Sequence, residues 1–345
     1  MKDFVLGGIS ILVAACLLAI GGEIAIRSIH FYTDHFSDQM NPRFITLDKE
    51  LGWLPVPDYL YSGELVDAGG ASYPVNIQTN GAGYRMFGNL QADSRKKVLF
   101  LGDSYTHAMH VSNDKTYYGI LKEELDIEVF SFGVDGYGTL QEYMLVEKII
   151  DEIEPDIVVL QFCPNDFINN HYELEQRAVF NNNGLRRPYY KDDEVRYKTP
   201  SSFAAIREFA ANYSEFLYFI IKKVDGLKAR PAKSSESMIE QQGTSYPLFK
   251  ESVETTDQLL GKIRARIPSS TPIYAFSTNH GFPYYDEFKR MSEKNGIYFI
   301  DGTSQALTAA ESKGITIRSA DKAHWNNQGH RIVADVLKSY FEENW

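Results

Sequence analysis

Hydrophobic and polar positions follow two regimes along this chain. From residue 97 onward, short apolar runs alternate with amphipathic stretches. "KVLFLG" (97–102), "IEVFSFG" (127–133), "DIVVLQFC" (156–163), "PIYAFST" (272–278) and "IYFID" (297–301) each read as a strand buried on both faces. Between and after them, "TYYGILKEEL" (116–125), "LQEYMLVEKIIDEIE" (140–154), "VETTDQLLGKIRARI" (253–267), "YYDEFKRMSEKNG" (284–296) and "GHRIVADVLKSYFEENW" (329–345) carry apolar residues at helical spacing. Strands separated by helices predict an α/β domain. Right-handed crossovers then give a three-layer α/β/α, doubly wound fold on a mainly parallel, five-stranded sheet.

Before residue 97 the pattern differs. Phe4 to Ile20 is apolar apart from Ser10, and Gly21 and Gly22 extend the run. As a helix it spans about 28 Å, close to the roughly 30 Å of a bilayer's hydrocarbon core. Residues 1–23 therefore read as a transmembrane anchor. No small-x-small site directly follows the apolar run, which favours retention over cleavage. Val13 to Cys16 ("VAAC") resembles a lipoprotein processing box, but the apolar run continues past Cys16. Lys2 ahead of the segment favours a cytoplasmic N-terminus and an extracytoplasmic remainder, a signal weakened by Asp3 and Arg27.

Residues 24–95 show no helix–strand alternation. "VNIQT" (75–79) alternates and "NGAG" (80–83) signals a turn, so this part reads as a membrane-proximal collar or linker. A second lapse, about 167–246, holds loop-like "NNNGLRRPYY" and "KDDEVRYKTP" and a strongly helical stretch over 201–224. It is read as an insertion after the third strand of the 96–345 domain, placed where such folds build a cap or substrate wall. No internal repeat is visible.

Composition narrows the function. A net charge of −11 argues against a nucleic-acid surface. Only Cys16 and Cys163 are present, so there is no disulfide framework and the redox compartment stays open.

Ser104 stands at the end of the first main strand, ahead of a helix, in "LGDSYT". Open α/β sheets bind ligands at that edge, and a helix start offers unpaired N–H groups. Gly-Asp-Ser alone is equally a helix cap. A nucleophilic serine needs a base, and the base an orienting group. "SADKAHWNNQGH" supplies Asp321 and His324, three residues apart, behind the last strand. His107 and His110 are nearer in sequence. No carboxylate stands beside His107, the pair lacks a third metal ligand, and His330 reads as structural. Gly133, Gly136 and Gly138 follow the second strand and Asn165 follows the third. Serine, glycine, asparagine and the Asp–His pair thus fall after strands one, two, three and five, all able to meet at one crevice. No phosphate loop is present.

These four blocks resemble the SGNH, or GDSL-type, serine hydrolase superfamily, in its bacterial membrane-anchored form. "FLGDSYT", "SFGVDGYGT", "CPND" and "DKAHWNNQGH" match in order and spacing, with Cys163 where the third block usually has glycine and Ser131 where the second often has asparagine. "LGW", "NGAGYR" and "GDSYT" likewise occur in that order in anchored members. The resemblance implies Ser104 as nucleophile, His324 as base and Asp321 as its orienting group. It places Ser104 N–H, Gly136 N–H and the Asn165 amide in the oxyanion hole, with no metal or cofactor. It implies a membrane-anchored esterase acting on acyl esters, O-acetyl above all, of a small molecule or cell-surface glycan. An O-acetyltransferase or lipid acylhydrolase using the same residues is the alternative within enzymes. A glycan-binding or scaffold protein on an inactive fold is the alternative outside them.

Overall fold

The computed structural model describes residues 2–33, 44–91, 94–179, 181, 184–201, 204–228 and 233–344. Part of the expected loop near Asn182 and the 229–232 stretch lie outside the described residues. The strands are β1 (Ile45–Asp48), β2 (Gly52–Pro55), β3 (Leu60–Val66), β4 (Ser72–Gln78), β5 (Met86–Phe87), β6 (Lys97–Gly102), β7 (Glu128–Gly133), β8 (Ile157–Phe162), β9 (Arg187–Lys191), β10 (Glu194–Lys198), β11 (Ile273–Ser277) and β12 (Tyr298–Phe299). The helices are α1 (Lys2–Thr33), α2 (Ser104–His107), α3 (Tyr117–Leu125), α4 (Thr139–Ile153), α5 (Asn165–Asn169), α6 (Tyr172–Arg177), α7 (Ala204–Tyr213), α8 (Glu215–Lys228), α9 (Ser235–Gln242), α10 (Pro247–Arg266), α11 (Tyr284–Lys294), α12 (Thr303–Ser312) and α13 (Asn327–Asn344).

The five apolar runs form the parallel part of the main sheet, whose order is β12-β11-β8-β6-β7-β5. The sheet is mixed and has six strands, which corrects the expected five. β5 adds to the β7 edge antiparallel, Met86 facing Ser131 and Phe87 facing Phe130. Two residues leave no periodic signature, which is why the sequence pattern misses this strand.

Side chains alternate across the central strand. Leu99 and Leu101 face a core shared with α4 and α10, through Leu145, Ile150, Leu260 and Ile263. Val98 and Phe100 face a second core with α3 and α13, through Tyr117, Leu121, Leu337 and Phe341. Sequence order reverses direction between β7 and β8, on either side of β6, so the carboxyl ends of β6 and β8 open onto the crevice between them.

The stretch before β6 does more than connect. β1–β2 and β3–β4 are antiparallel hairpins. Trp53, Leu65, Val75 and Ile77 are buried in the same core as Leu99 and Leu101. Trp53 is fully buried, and its indole N–H donates to the Asp135 carbonyl at 2.8 Å. The Tyr137 hydroxyl donates back to the Trp53 carbonyl. From the insertion, the Arg187 guanidinium lies over the Trp53 ring at 5.2 Å, while Arg187 also bonds Gln141 and pairs with buried Glu175.

The N-terminal apolar segment is helical, within α1, and the helix continues through Glu23 and Arg27. Glu23 accepts from the Ser214 hydroxyl and from the N–H groups of Glu215 and Phe216, capping α8. Among the described residues no helix is long and apolar enough to cross a membrane.

Trp53→Ala leaves a cavity beneath the β7–α4 turn and removes the bond to Asp135. It is expected to cost about 3–5 kcal/mol, read as a lowered urea midpoint at constant m.

Candidate active site

β6 ends at Gly102, and the chain turns at once into the single-turn helix α2. The capping residue there is Asp103, whose carboxylate accepts from the Tyr105 N–H at 3.1 Å. Ser104 is the first helical residue, so its N–H belongs to the end of the helix that lacks intrahelical acceptors. Within Gly-Asp-Ser the cap is made by Asp103, and the Ser104 hydroxyl makes a different bond. It lies 2.8 Å from His324 Nε2.

His324 comes from the loop between α12 and α13. That loop is a tight turn: Lys322 N–H donates to the Ser319 carbonyl and Ser319 N–H to the His324 carbonyl. Asp321 Oδ1 accepts the backbone N–H groups of Ala323 (3.0 Å) and His324 (3.1 Å), and Oδ2 bonds His324 Nδ1. The three-residue spacing works because the carboxylate folds over its own turn. Burial disfavours the charged form of Asp321, but the His324 hydrogen bond and the nearby His324 and His110 charges outweigh it, and the carboxyl sits well below its ordinary range. Burial likewise opposes protonation of His324. The Asp321 hydrogen bond and charge, with Asp135 and Asp103 behind them, win, and the imidazole is raised above 6.5.

Asn165 begins α5, directly after β8, and lines the same cavity as Ser104. Its Nδ2 donates to Asn169 Oδ1 at 3.1 Å, which fixes the plane of the amide. The cavity encloses about 200 Å³ and is mostly polar, with Cys163, Asn181, Thr278, Asn279 and Arg318 among its lining residues. Gly136 is not among these lining residues. It lies in the turn after β7, at φ +70°, a conformation that favours glycine. Its neighbour Asp135 is held on both sides, by Trp53 at the carbonyl and by His107 Nδ1 at the carboxylate (2.9 Å). Ser131 lies inside β7, away from the cavity, and its hydroxyl accepts the Met86 N–H.

Three further carboxyls are buried near the site. Burial raises Asp103, Glu142 (to about 8) and Asp166, and their mutual repulsion adds to it for the last two. At about 8, the Glu142 carboxyl is largely uncharged near neutral pH.

Several residues here have partners that no local spacing signals. His107 and His110 stand close to the site, but neither touches Ser104 Oγ. His107 bonds Asp135, and His110 stacks on His324 with ring centroids 4.7 Å apart. Arg85, fully buried, donates to the carbonyls of His107 (3.2 Å), Ala108 (2.6 Å) and Val111 (2.8 Å) and to Asn113 Oδ1. It pins the loop behind α2 from the collar side. The arginine stands in the "NGAGYR" block, but nothing in sequence tells which carbonyls it will find. His330 is buried, and its Nδ1 accepts the Tyr117 N–H. His110, Asp321 and His324 have ligand atoms within 4.8 Å of one another, the spacing of a metal site, but Asp321 is already engaged by His324.

In structure the chain is similar to the esterase EstA from Pseudoalteromonas sp. (10% identity, TM-score 0.39, 72% of this chain and 97% of that one). It is similar to the acetylxylan esterase Axe2 from Geobacillus stearothermophilus (16% identity, TM-score 0.40, 72% and 95%). No curated protein matches it in sequence. The sequence model of the GDSL-like lipase/acylhydrolase family matches residues 98–337. That match reaches from the strand ahead of Ser104 to the helix behind His324, so the chain belongs to the GDSL-like lipase/acylhydrolase family and is an ester-hydrolysing serine hydrolase.

Proposed function

We propose that this hydrolase removes short acyl groups, acetyl above all, from a polar alcohol such as a glycan, with Ser104 as nucleophile. The observation that carries the reading is the unbroken line Ser104 Oγ–His324 Nε2, His324 Nδ1–Asp321. His324 takes the Ser104 proton as Oγ attacks the ester carbonyl, and later gives that proton to the leaving alkoxide. Asp321 holds the tautomer with Nδ1–H and stabilises the imidazolium. The Ser104 and Gly136 N–H groups and the Asn165 amide receive the oxyanion. Water, activated by His324, releases the acid and restores Ser104.

Cavity size and chemistry support a short acyl group and a hydroxyl-rich alcohol. About 200 Å³ lined by carboxamides, hydroxyls and a guanidinium suits acetyl and sugar groups better than an alkyl chain. The larger apolar groove, about 560 Å³ between the collar and α4, does not include Ser104. The reading includes a membrane anchor in residues 1–23 and an extracytoplasmic hydrolase domain. Val13, Leu17, Leu18 and Ile20 of α1 are exposed apolar side chains, which supports it. Transfer of acetyl to a sugar acceptor faster than to water would mark a transferase using the same residues.

Ser104→Ala and His324→Ala should each lower kcat on p-nitrophenyl acetate about 10⁶-fold, and Asp321→Asn about 10⁴-fold. Asn165→Ala should cost about 10²–10³-fold. A fluorophosphonate should label Ser104 in the wild type, and acetyl should outrun octanoyl esters. Near-normal turnover by either alanine variant overturns the mechanism.

The pH profile is a separate check. His324 must be neutral to accept the proton, and its imidazole is raised. Activity is therefore full above the folded value and lost as pH falls through it, so the acid limb of kcat/KM should have its midpoint above 6.5.

Location is tested by fractionation. The full chain should sediment with membranes after a high-salt wash, and recovery in the soluble fraction would remove the anchor from the reading.

A further inference from the structure

The geometry points to His110 as a positioning residue that walls in the catalytic imidazole and holds it in one orientation through both proton transfers. The inference rests on His324 being the base. His110 lies in the turn behind α2, away from the ester-binding cavity, yet three contacts tie it to the catalytic pair. Its ring stacks on His324 with an interplanar angle of 11°. Its Nε2 is 3.4 Å from Asp321 Oδ2, the same oxygen that bonds His324 Nδ1. Its own carbonyl accepts the Tyr73 hydroxyl, which also bonds Ser319 in the loop that carries His324. Arg85 fixes the carbonyls on either side.

An imidazole that shuttles a proton between two oxygens must lose its bond to the serine while the acyl-enzyme forms. At that moment only Nδ1 anchors it, and rotation about its side-chain bonds is otherwise open. Tyr105 covers one approach, its ring 5.1 Å from that of His324, and His110 lies flat against the ring. A flat neighbour resists tipping without hindering the in-plane proton exchange.

The wall has to be uncharged, because a cation stacked on an imidazolium would repel it. The surroundings provide this. His110 is faced by His324 and Asp321 from the last loop, by Asp135 from the β7–α4 turn and by His107 from α2. Burial comes first, the His324 charge next, and together they push His110 down to about 4. As a neutral ring it exchanges no proton in the reaction and can direct an Nε2–H toward Asp321.

The test uses the full-length protein with His110→Ala and His110→Phe. Readouts are kcat, KM, the acid limb of kcat/KM, the thermal midpoint and the proton resonance of His324 Nδ1–H. His110→Ala should lower kcat about 10²-fold, the cost of a small misplacement, measured well below its reduced thermal midpoint, with KM unchanged and the Nδ1–H resonance broadened. His110→Phe keeps a flat ring and should recover most of kcat. It lacks the Nε2–H that shares Asp321, so its acid limb should move to higher pH. Wild-type kcat with an unchanged resonance in His110→Ala overturns the proposal. So does a loss of kcat in both variants that only follows the thermal midpoint. Should His110→Ala fail to fold, an unmoved acid limb in folded His110→Phe overturns it. A wild type whose Ser104 takes no fluorophosphonate label would instead overturn the assignment of Ser104 and His324.

Discussion

A carboxylate held away from water stays ionised only where donors replace the water it has lost. Asp321 collects two backbone N–H groups from its own turn, the Nδ1–H of His324 and the nearby Nε2 of His110. Each of these makes a structural demand. The backbone donors require the tight turn in which Lys322 takes a positive φ of 61°. The imidazole donor fixes which nitrogen of His324 is left for Ser104. The loop must then return to the carboxyl end of β6, and the switch in strand order around β6 puts an open crevice there. The doubly wound sheet and the chemistry are therefore linked through one buried charge.

The collar belongs to the same economy of fixed groups. Arg85 spends its guanidinium on carbonyls behind α2, which have no helical partner of their own. Trp53 holds the Asp135 carbonyl next to Gly136, and Tyr73 bridges the His110 and Ser319 segments. The loop behind α2, the turn after β7 and the loop that carries His324 are thus each held by residues that precede β6.

The parallel strands were legible because each is buried on both faces and reads as an unbroken apolar run. Ser104, Asn165 and the Asp321–His324 pair stood out because each follows such a run, and topology brings strand ends together. What stayed hidden shares a different property. β5 has too few residues to show a period. The role of Trp53 depends on a carbonyl 82 positions away, and that of Arg85 on carbonyls more than 20 away. His110 does not contact Ser104 Oγ, and its stacking on His324 is a relation between loops that no spacing encodes. Asp103 and Ser104 are both good cap formers, and sequence alone could not tell which would hold the first turn.

The antiparallel β5 carries a consequence for modularity. Its two residues cover the free edge of β7, and they belong to the segment that precedes the α/β alternation. A chain begun at Lys96 would expose that edge, a row of unpaired backbone groups ready to pair with another copy. It would also open the Trp53 face of the core to water. Cut at the point where its sequence pattern begins, the hydrolase unit would lose both of these covers. Natural recombination would have to carry the preceding hairpins along with the sheet, so these two parts are expected to travel through evolution as one inherited piece.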